Sequence, residues 1–128
     1  EFIKYALRPT YIYTSLILDI IKKVKIKSIA NITGGGLTEN IPRSLPDPLS
    51  AEIYLDSWSM PKFFKQLQEL GNISLMDMFR IFNCGIGMTV TIDHKDLGET
   101  QNIIQEHNLK SFLIGKVLNN SKDKINFI

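Results

Sequence analysis

The sequence contains a single cysteine, Cys84, so it holds no internal disulfide. Disulfides belong to oxidising compartments, and a chain without one fits a reducing, cytoplasmic location. No signal peptide is visible, and no apolar run reaches the roughly 18 residues of a membrane helix. We therefore expect no membrane partner. Cys84 has no nearby histidine or lysine in sequence to activate it, which favours a buried, inert thiol over a nucleophile.

The sequence also has only a small excess of positive charge, and it has no metal-ligand pattern. The formal net charge is only +2 over 128 residues, and the lysines are spread along the chain, so no nucleic-acid partner is expected. The two histidines, His94 and His107, have no cysteine or histidine at ligand spacing. We predict that both are solvated and that the chain has no metal site.

Apolar residues make up 44% of the chain, which is ordinary for a globular protein and enough for one hydrophobic core. Four patterns predict helices and five predict strands. The helices are Tyr13–Val24, Ser59–Leu70 ending at Gly71, Ser74–Phe82 and Lys95–His107. The strands are Ser28–Thr33, Ala51–Leu55, Gly85–Ile92, Leu109–Leu118 and an edge strand Lys124–Ile128.

Helical and strand patterns alternate, which predicts a mixed sheet with helices packed on it, of α/β or α+β class. The segment Leu37–Leu45 has room for at most a short helix, because Pro42 and Pro46 bracket it. No internal linker is visible, so residues 1–128 form one domain. The first residue is Glu1 rather than methionine, and we expect the chain to be part of a longer protein.

Three consecutive glycines, Gly34, Gly35 and Gly36, follow a predicted strand within NITGGGLTENIPR. Glycines let backbone amides turn inward and let an anion approach them closely, and a helix starting just after them adds its own free amides. Thr38 and Asn40 can donate to phosphate oxygens.

Arg43 can bind a phosphate through two parallel hydrogen bonds. The segment is neither a P-loop, which needs a Lys-Ser/Thr pair after its last glycine, nor a dinucleotide fingerprint. A ligand-free turn therefore remains as open as a phosphate site.

A second glycine-containing stretch is MFRIFNCGIGMTV, where Asn83 precedes Gly85 and Gly87. Alternating glycines leave one face of a strand bare for another backbone or a ligand. We favour the structural interpretation, in which Asn83 ends a helix and the glycines form a bulge. No general base lies near a nucleophile and no carboxylate pair is placed for magnesium, so no catalytic residue is assigned.

Three stretches together, LRPTYIY, IANITGGGLTENIPRSLP and FRIFNCGIGM, give the chain a specific resemblance. From Leu7 onward it resembles the C-terminal half of the phosphoribosylformylglycinamidine cyclo-ligases, also called aminoimidazole ribonucleotide synthetases. The resemblance implies a layered α-β domain, distantly ferredoxin-like, whose glycine loop faces an active-site cleft. The positions matching its motifs are Gly34, Gly35, Gly36, Glu39, Asn40 and Arg43, with Asn83, Gly85 and Gly87 as weaker candidates. Arg8 departs from the family pattern.

The resemblance also implies an activity, which is closure of the imidazole ring of formylglycinamidine ribonucleotide in purine biosynthesis. ATP and Mg2+ are the implied cofactors, bound mainly by an N-terminal ATP-binding domain that this chain lacks. That domain and a second copy of the enzyme, in a homodimer, are the implied protein partners. The isolated domain is expected to be inactive.

Two other interpretations stay open from the sequence alone. The chain can be a stand-alone phosphate- or nucleotide-binding module without catalysis. It can also be the matching domain of a related ATP-dependent synthetase. The order and spacing of the three stretches favour the cyclo-ligase.

Overall fold

The fold was determined as a computed structural model, and it describes residues 2–119 and 122–128. The helices are α1 (Phe2–Ala6), α2 (Thr14–Lys23), α3 (Gly36–Arg43), α4 (Lys62–Gly71), α5 (Leu75–Ile81) and α6 (Leu97–Glu106). The strands are β1 (Ser28–Asn31), β2 (Leu49–Ile53), β3 (Met88–Thr91), β4 (Gly115–Asn119) and β5 (Ile125–Phe127). Short 3-10 turns cover Leu55–Ser57 and His94–Asp96.

The strands form two sheets, which confirms the mixed α+β class but divides the single sheet that we expected. β1 pairs with β3 in antiparallel register, with Ala30 opposite Thr89. In the other sheet β2 lies in the middle, antiparallel to β4 and parallel to β5. β5 is an edge strand, as predicted.

Helix ends depart from the sequence prediction at several positions, and the largest shift is at the start of α4, which begins at Lys62 rather than at Ser59. Pro42 lies inside α3, one residue before its end, instead of bracketing it. A proline this close to the C-terminus removes little of the helix, and Leu45 N–H then donates to the Pro42 carbonyl to finish the turn (3.1 Å). Helix α4 ends at Gly71, as predicted, and the left-handed residue that follows it is Asn72.

Strand ends differ more. β2 begins at Leu49, earlier than predicted, and the predicted strand residue Leu55 belongs to a 3-10 turn. β3 begins only at Met88, because the preceding residues form a tight turn. β4 begins at Gly115, and the predicted strand residues before it make no regular pairing apart from the Ile114 carbonyl. Helix α1 was not predicted.

Two hydrophobic clusters hold these elements. The larger one joins α3, α5 and the three-stranded sheet, and it includes Leu37, Met78 and Phe79. Trp58 is buried in it, as predicted. The smaller cluster lies between α2 and α6 and consists of Leu16, Ile20, Val24 and Ile103.

The smaller cluster also explains one wrong prediction. His107 is not solvated: its Nε2 lies 2.9 Å from Asp19 Oδ2, and its side chain is only 19% exposed. The α2–α6 packing brings these two residues together although they are far apart in sequence. His94 is exposed, as predicted.

Candidate functional site

The glycine loop turns the chain from β1 into α3 through a left-handed backbone. Gly35 has a φ of 94° and Gly36 a φ of 54°, values that residues other than glycine rarely adopt. Gly36 N–H donates to the Thr33 carbonyl (3.0 Å), which closes the turn. Two of the three glycines are therefore required by the backbone alone.

Gly36 is also where α3 meets the end of α5. A Cβ on Gly36 would lie 2.1 Å from the Phe79 carbonyl oxygen and 2.7 Å from that of Phe82. Thr38 Oγ1 donates to the same Phe79 carbonyl (3.1 Å). This close approach brings the two glycine-containing stretches side by side.

Asn40 holds the loop from inside. Its Nδ2 donates to the carbonyls of Thr33, Gly34 and Gly36 at 3.3, 3.2 and 2.8 Å. An amide that caps three carbonyls is fully used as a donor, so Asn40 shapes the loop and has no N–H left for a phosphate.

Several backbone amides of the turn have no acceptor. Within the described residues, the N–H groups of Gly34, Gly35, Leu37 and Thr38 donate to no protein acceptor. Leu37 is fully buried, so an anion can reach only the other three. A Cβ on Gly34 would meet nothing within 4 Å, which leaves space beside that residue.

An ion pair between Glu39 and Arg43 occupies the space beside Gly35. Arg43 Nη2 donates to Glu39 Oε2 at 2.6 Å, one helical turn away. The same Glu39 oxygen lies 2.7 Å from where a Cβ on Gly35 would be. An anion at Gly35 must therefore displace the Glu39 carboxylate, and this would free the Arg43 guanidinium to bind the anion.

The second stretch forms a tight turn after α5. Helix α5 ends at Ile81 and its C-cap is Phe82, whose N–H donates to the Met78 carbonyl, so the prediction that Asn83 ends the helix is wrong. Asn83 Oδ1 instead accepts from Gly85 N–H (3.0 Å), and Ile86 N–H donates to the Asn83 carbonyl (2.9 Å). Cys84 and Gly85 are both left-handed, with φ of 50° and 99°. Asn83 therefore stabilises a turn.

Protein atoms fill the space beside Gly85 and Gly87. A Cβ on Gly85 would lie 2.6 Å from Pro61 Cδ, and one on Gly87 would lie 2.1 Å from the Tyr13 hydroxyl. Neither residue was connected with these glycines by sequence reasoning. The only signal was that Tyr13 ends the stretch LRPTYIY, one of the three on which the resemblance rests.

Within the described residues, neither Cys84 nor a cluster of metal ligands supplies catalytic chemistry. Burial raises the pKa of the Cys84 thiol to about 12, so it is inert at neutral pH, as predicted. No group of three or more His, Cys, Asp or Glu residues suited to a metal ion occurs among residues 2–119 and 122–128.

Comparison with protein families and known proteins gives concordant results. Residues 3–128 match the family model described as AIR synthase related protein, C-terminal domain. A phosphoribosylformylglycinamidine cyclo-ligase of Methylobacillus flagellatus is 43% identical over 85% of this chain and 32% of its own length. Its counterpart in Bacillus cereus is 44% identical over 88% of this chain and 32% of its own length. That of Staphylococcus aureus is 42% identical over 99% of this chain and 37% of its own length.

The chain thus spans about a third of the length of these curated relatives. Among solved structures, E. coli HypE, a hydrogenase maturation protein, superposes with a TM-score of 0.69. The match covers 90% of this chain and 36% of that chain at 16% identity, so it shows a shared fold alone. In the part of the chain that the structure describes, no helix has the length and apolarity to cross a membrane.

Proposed function

This chain belongs to the family of AIR synthase related protein C-terminal domains, and on that premise we propose that it is the C-terminal domain of an ATP-dependent cyclo-ligase. The full enzyme would close the imidazole ring of formylglycinamidine ribonucleotide to give aminoimidazole ribonucleotide. The observation that supports this most is identity of 42–44% with proteins named phosphoribosylformylglycinamidine cyclo-ligase. HypE shares the fold at 16% identity, well below the identity with these cyclo-ligases.

Within that enzyme we assign the glycine loop to phosphate binding. The open amides of Gly34, Gly35 and Thr38 supply donors, and Arg43 supplies a charge once it leaves Glu39. Asn40 and the Gly36–Phe79 contact keep the amides in place without touching the anion. The anion is a phosphate of the ribonucleotide or of ATP.

ATP and Mg2+ are the proposed cofactors, and most of their binding groups would lie outside this chain. The loop offers donors that fit a phosphate group, whereas the described residues offer no metal-binding cluster. When bound, ATP would supply a phosphoryl group that turns an oxygen of the substrate into a leaving group. This chain would hold a phosphate and form one wall of the cleft.

The proposal includes two protein partners and a cellular location. An N-terminal domain of the same protein would complete the cleft, since this chain corresponds to about a third of its relatives. We further propose that the full enzyme is a homodimer and works in the cytoplasm, where its nucleotide substrates are made.

The test is turnover by the full-length protein that contains this chain. We expect phosphate release from ATP that depends on formylglycinamidine ribonucleotide, with formation of aminoimidazole ribonucleotide in equal amount. The 128-residue chain alone should fold cooperatively, as seen by circular dichroism, and release none. Substrate-dependent release by the chain alone, or a folded full-length protein that makes no aminoimidazole ribonucleotide, would contradict the proposal.

A further inference from the structure

A cleft of about 870 Å³ lies on the side of the molecule formed by α2, α6, β3 and residues 108–115. It opens between the two sheets, because β3 and β4 are edge strands of separate sheets and both border it. Its volume lies within the range of small-molecule sites. No residue of the glycine loop or of α3 lines it, so it is separate from the proposed phosphate site.

Most of the cleft surface is apolar. The aliphatic and aromatic side chains come from four different elements, among them Ile17 of α2, Ile104 of α6, Val90 of β3 and Phe112 of the segment before β4. The Tyr13 hydroxyl lies at the Gly87 end of the cleft and makes no hydrogen bond among the described residues. Burial raises the pKa of Tyr13, so this hydroxyl stays protonated and can donate.

The charges around the cleft have one sign. Only two of its lining residues are charged, Arg8 and Lys110, and both are exposed cations. Neither forms an ion pair in the part of the chain that the structure describes, whereas many other basic side chains, including Lys23, Lys116 and Lys124, do. Two unpaired cations beside a low-dielectric apolar surface attract and hold an anion.

We propose that this cleft binds an aromatic anion, a flat apolar body that carries one carboxylate, sulfonate or phosphate group. The body packs between Ile17, Ile104 and Val90, and the anionic group lies between Arg8 and Lys110. Tyr13 supplies a hydrogen-bond donor at the inner end.

The probes are 8-anilinonaphthalene-1-sulfonate and its uncharged relative N-phenyl-1-naphthylamine, titrated by fluorescence into the 128-residue chain after a cooperative melt is established. We expect one anionic probe per chain. Its binding should weaken with added salt, while that of the neutral probe should not. Amide chemical-shift changes in NMR spectra should cluster at residues 86–92 and 108–115. Clustering around the exposed ring contacts of Phe2, Tyr5 and Phe63 would overturn the proposal.

Charge variants separate the anion from the apolar body. Replacing both cations (Arg8→Gln with Lys110→Gln) should weaken the anionic probe about tenfold, since each exposed cation contributes modestly. Binding of the neutral probe should stay the same. The matched control, Lys62→Gln with Arg80→Gln, removes one lysine and one arginine that are exposed and outside the cleft. Equal losses in both double variants would refute a role for Arg8 and Lys110.

Volume variants test the cleft itself. Gln101 lines the cleft from α6, whereas its neighbour Asn102 is exposed and does not. Gln101→Trp should abolish binding of both probes, and Asn102→Trp should leave both unchanged. No binding to the wild-type chain, or full binding to Gln101→Trp, would show that the cleft is not the site.

Discussion

Gly34–Gly36 and Gly85–Gly87 are both glycine-rich links between regular elements, and both contain left-handed glycine, but the space around them differs. Beside Gly85 and Gly87 the volume of a side chain is taken by Pro61 and Tyr13. Beside Gly34 it is empty, and at Gly35 it is shared with the Glu39 side chain.

The difference separates two reasons for a glycine. Where protein atoms fill the missing side chain's place, the glycine allows packing, as at Gly87. Where the place is empty and neighbouring amides lack acceptors, as at Gly34, we propose that the glycine leaves room for a ligand. Gly36 belongs with the packing glycines although it lies in the proposed phosphate loop, because backbone carbonyls of Phe79 and Phe82 lie against it.

The largest effect is expected for Gly36→Ala. Its methyl group would lie 2.1 Å from a carbonyl oxygen of the backbone, and its φ of 54° is unfavourable for alanine. We expect a loss of about 3 kcal/mol or more in the free energy of unfolding, from overpacking and backbone strain combined. Chemical denaturation measures this, and a loss below about 1 kcal/mol would show that α3 and α5 can move apart.

Gly87→Ala should cost less, because the atom that it meets is the hydroxyl at the end of a side chain, 2.1 Å away. We expect a loss of about 1–3 kcal/mol. Tyr13→Phe removes that hydroxyl and should recover part of the loss in the double variant. A double-mutant cycle measures this coupling, and strictly additive losses would show that Tyr13 is not what constrains Gly87.

Variants of Glu39 and Arg43 test the phosphate-binding role of the Gly34–Gly36 loop. Arg43→Ala should lower phosphate affinity in the full-length enzyme about tenfold, through loss of a charge-assisted hydrogen bond. Glu39→Gln should raise affinity for inorganic phosphate by about threefold, because it removes the competing carboxylate and frees Arg43. Calorimetric titration of phosphate distinguishes the two, and unchanged affinity in both would leave the three glycines as a turn.

Cys84, within the second stretch, should report how tightly that turn is closed. Its buried thiol has a folded-state pKa of about 12, above the ordinary 9.0, so the folded chain keeps this proton longer than the unfolded chain does. The corresponding stability is fully present below about pH 9 and is lost as pH rises toward about 12. A disulfide reagent should label Cys84 only after unfolding, and rapid labelling of the folded chain would contradict the packing.

The smallest effect on stability is expected for Gly34→Ala. No atom lies within 4 Å of the added methyl group, and the φ of Gly34 is not left-handed. We expect a change within about 0.5 kcal/mol. Reduced phosphate affinity with an unchanged melting temperature would support a ligand beside Gly34. A destabilised variant would show that the empty space is needed by the protein itself.

Local chemistry made much of this fold predictable. The sequence predicts a helix that begins at Ser74, and Ser74 Oγ caps that helix by accepting from Asp77 N–H (3.1 Å). The end of α4 at Gly71 was also predicted, and Asn72, which like glycine tolerates a left-handed backbone, follows it in that conformation. The hydrogen bond from Ile73 N–H to the Gln68 carbonyl, 3.0 Å long, fixes Asn72 in that position.

Contacts between distant segments were not predictable. The division of the strands into two sheets depends on pairings such as β1 with β3, which no local pattern specifies. The site was also predictable only in part. The glycines could be recognised from sequence, but whether Arg43 binds a phosphate or a carboxylate stayed open until its contact with Glu39 was known. The hydrogen bonds of Asn40 inside the loop depend on how the turn folds back.

The parallel pairing of β2 with β5 bears on how the chain folds as it is made. Ala51 lies opposite Ile125, and Phe127 stacks on Phe79 with ring centroids 5.2 Å apart. Closing so long a loop is entropically costly and slow, and β4 on the other side of β2 also comes late in the chain, so both sides of β2 have to wait for their partners. During synthesis β2 is therefore a strand with two open edges, and it is exposed to pairing with a neighbouring nascent chain.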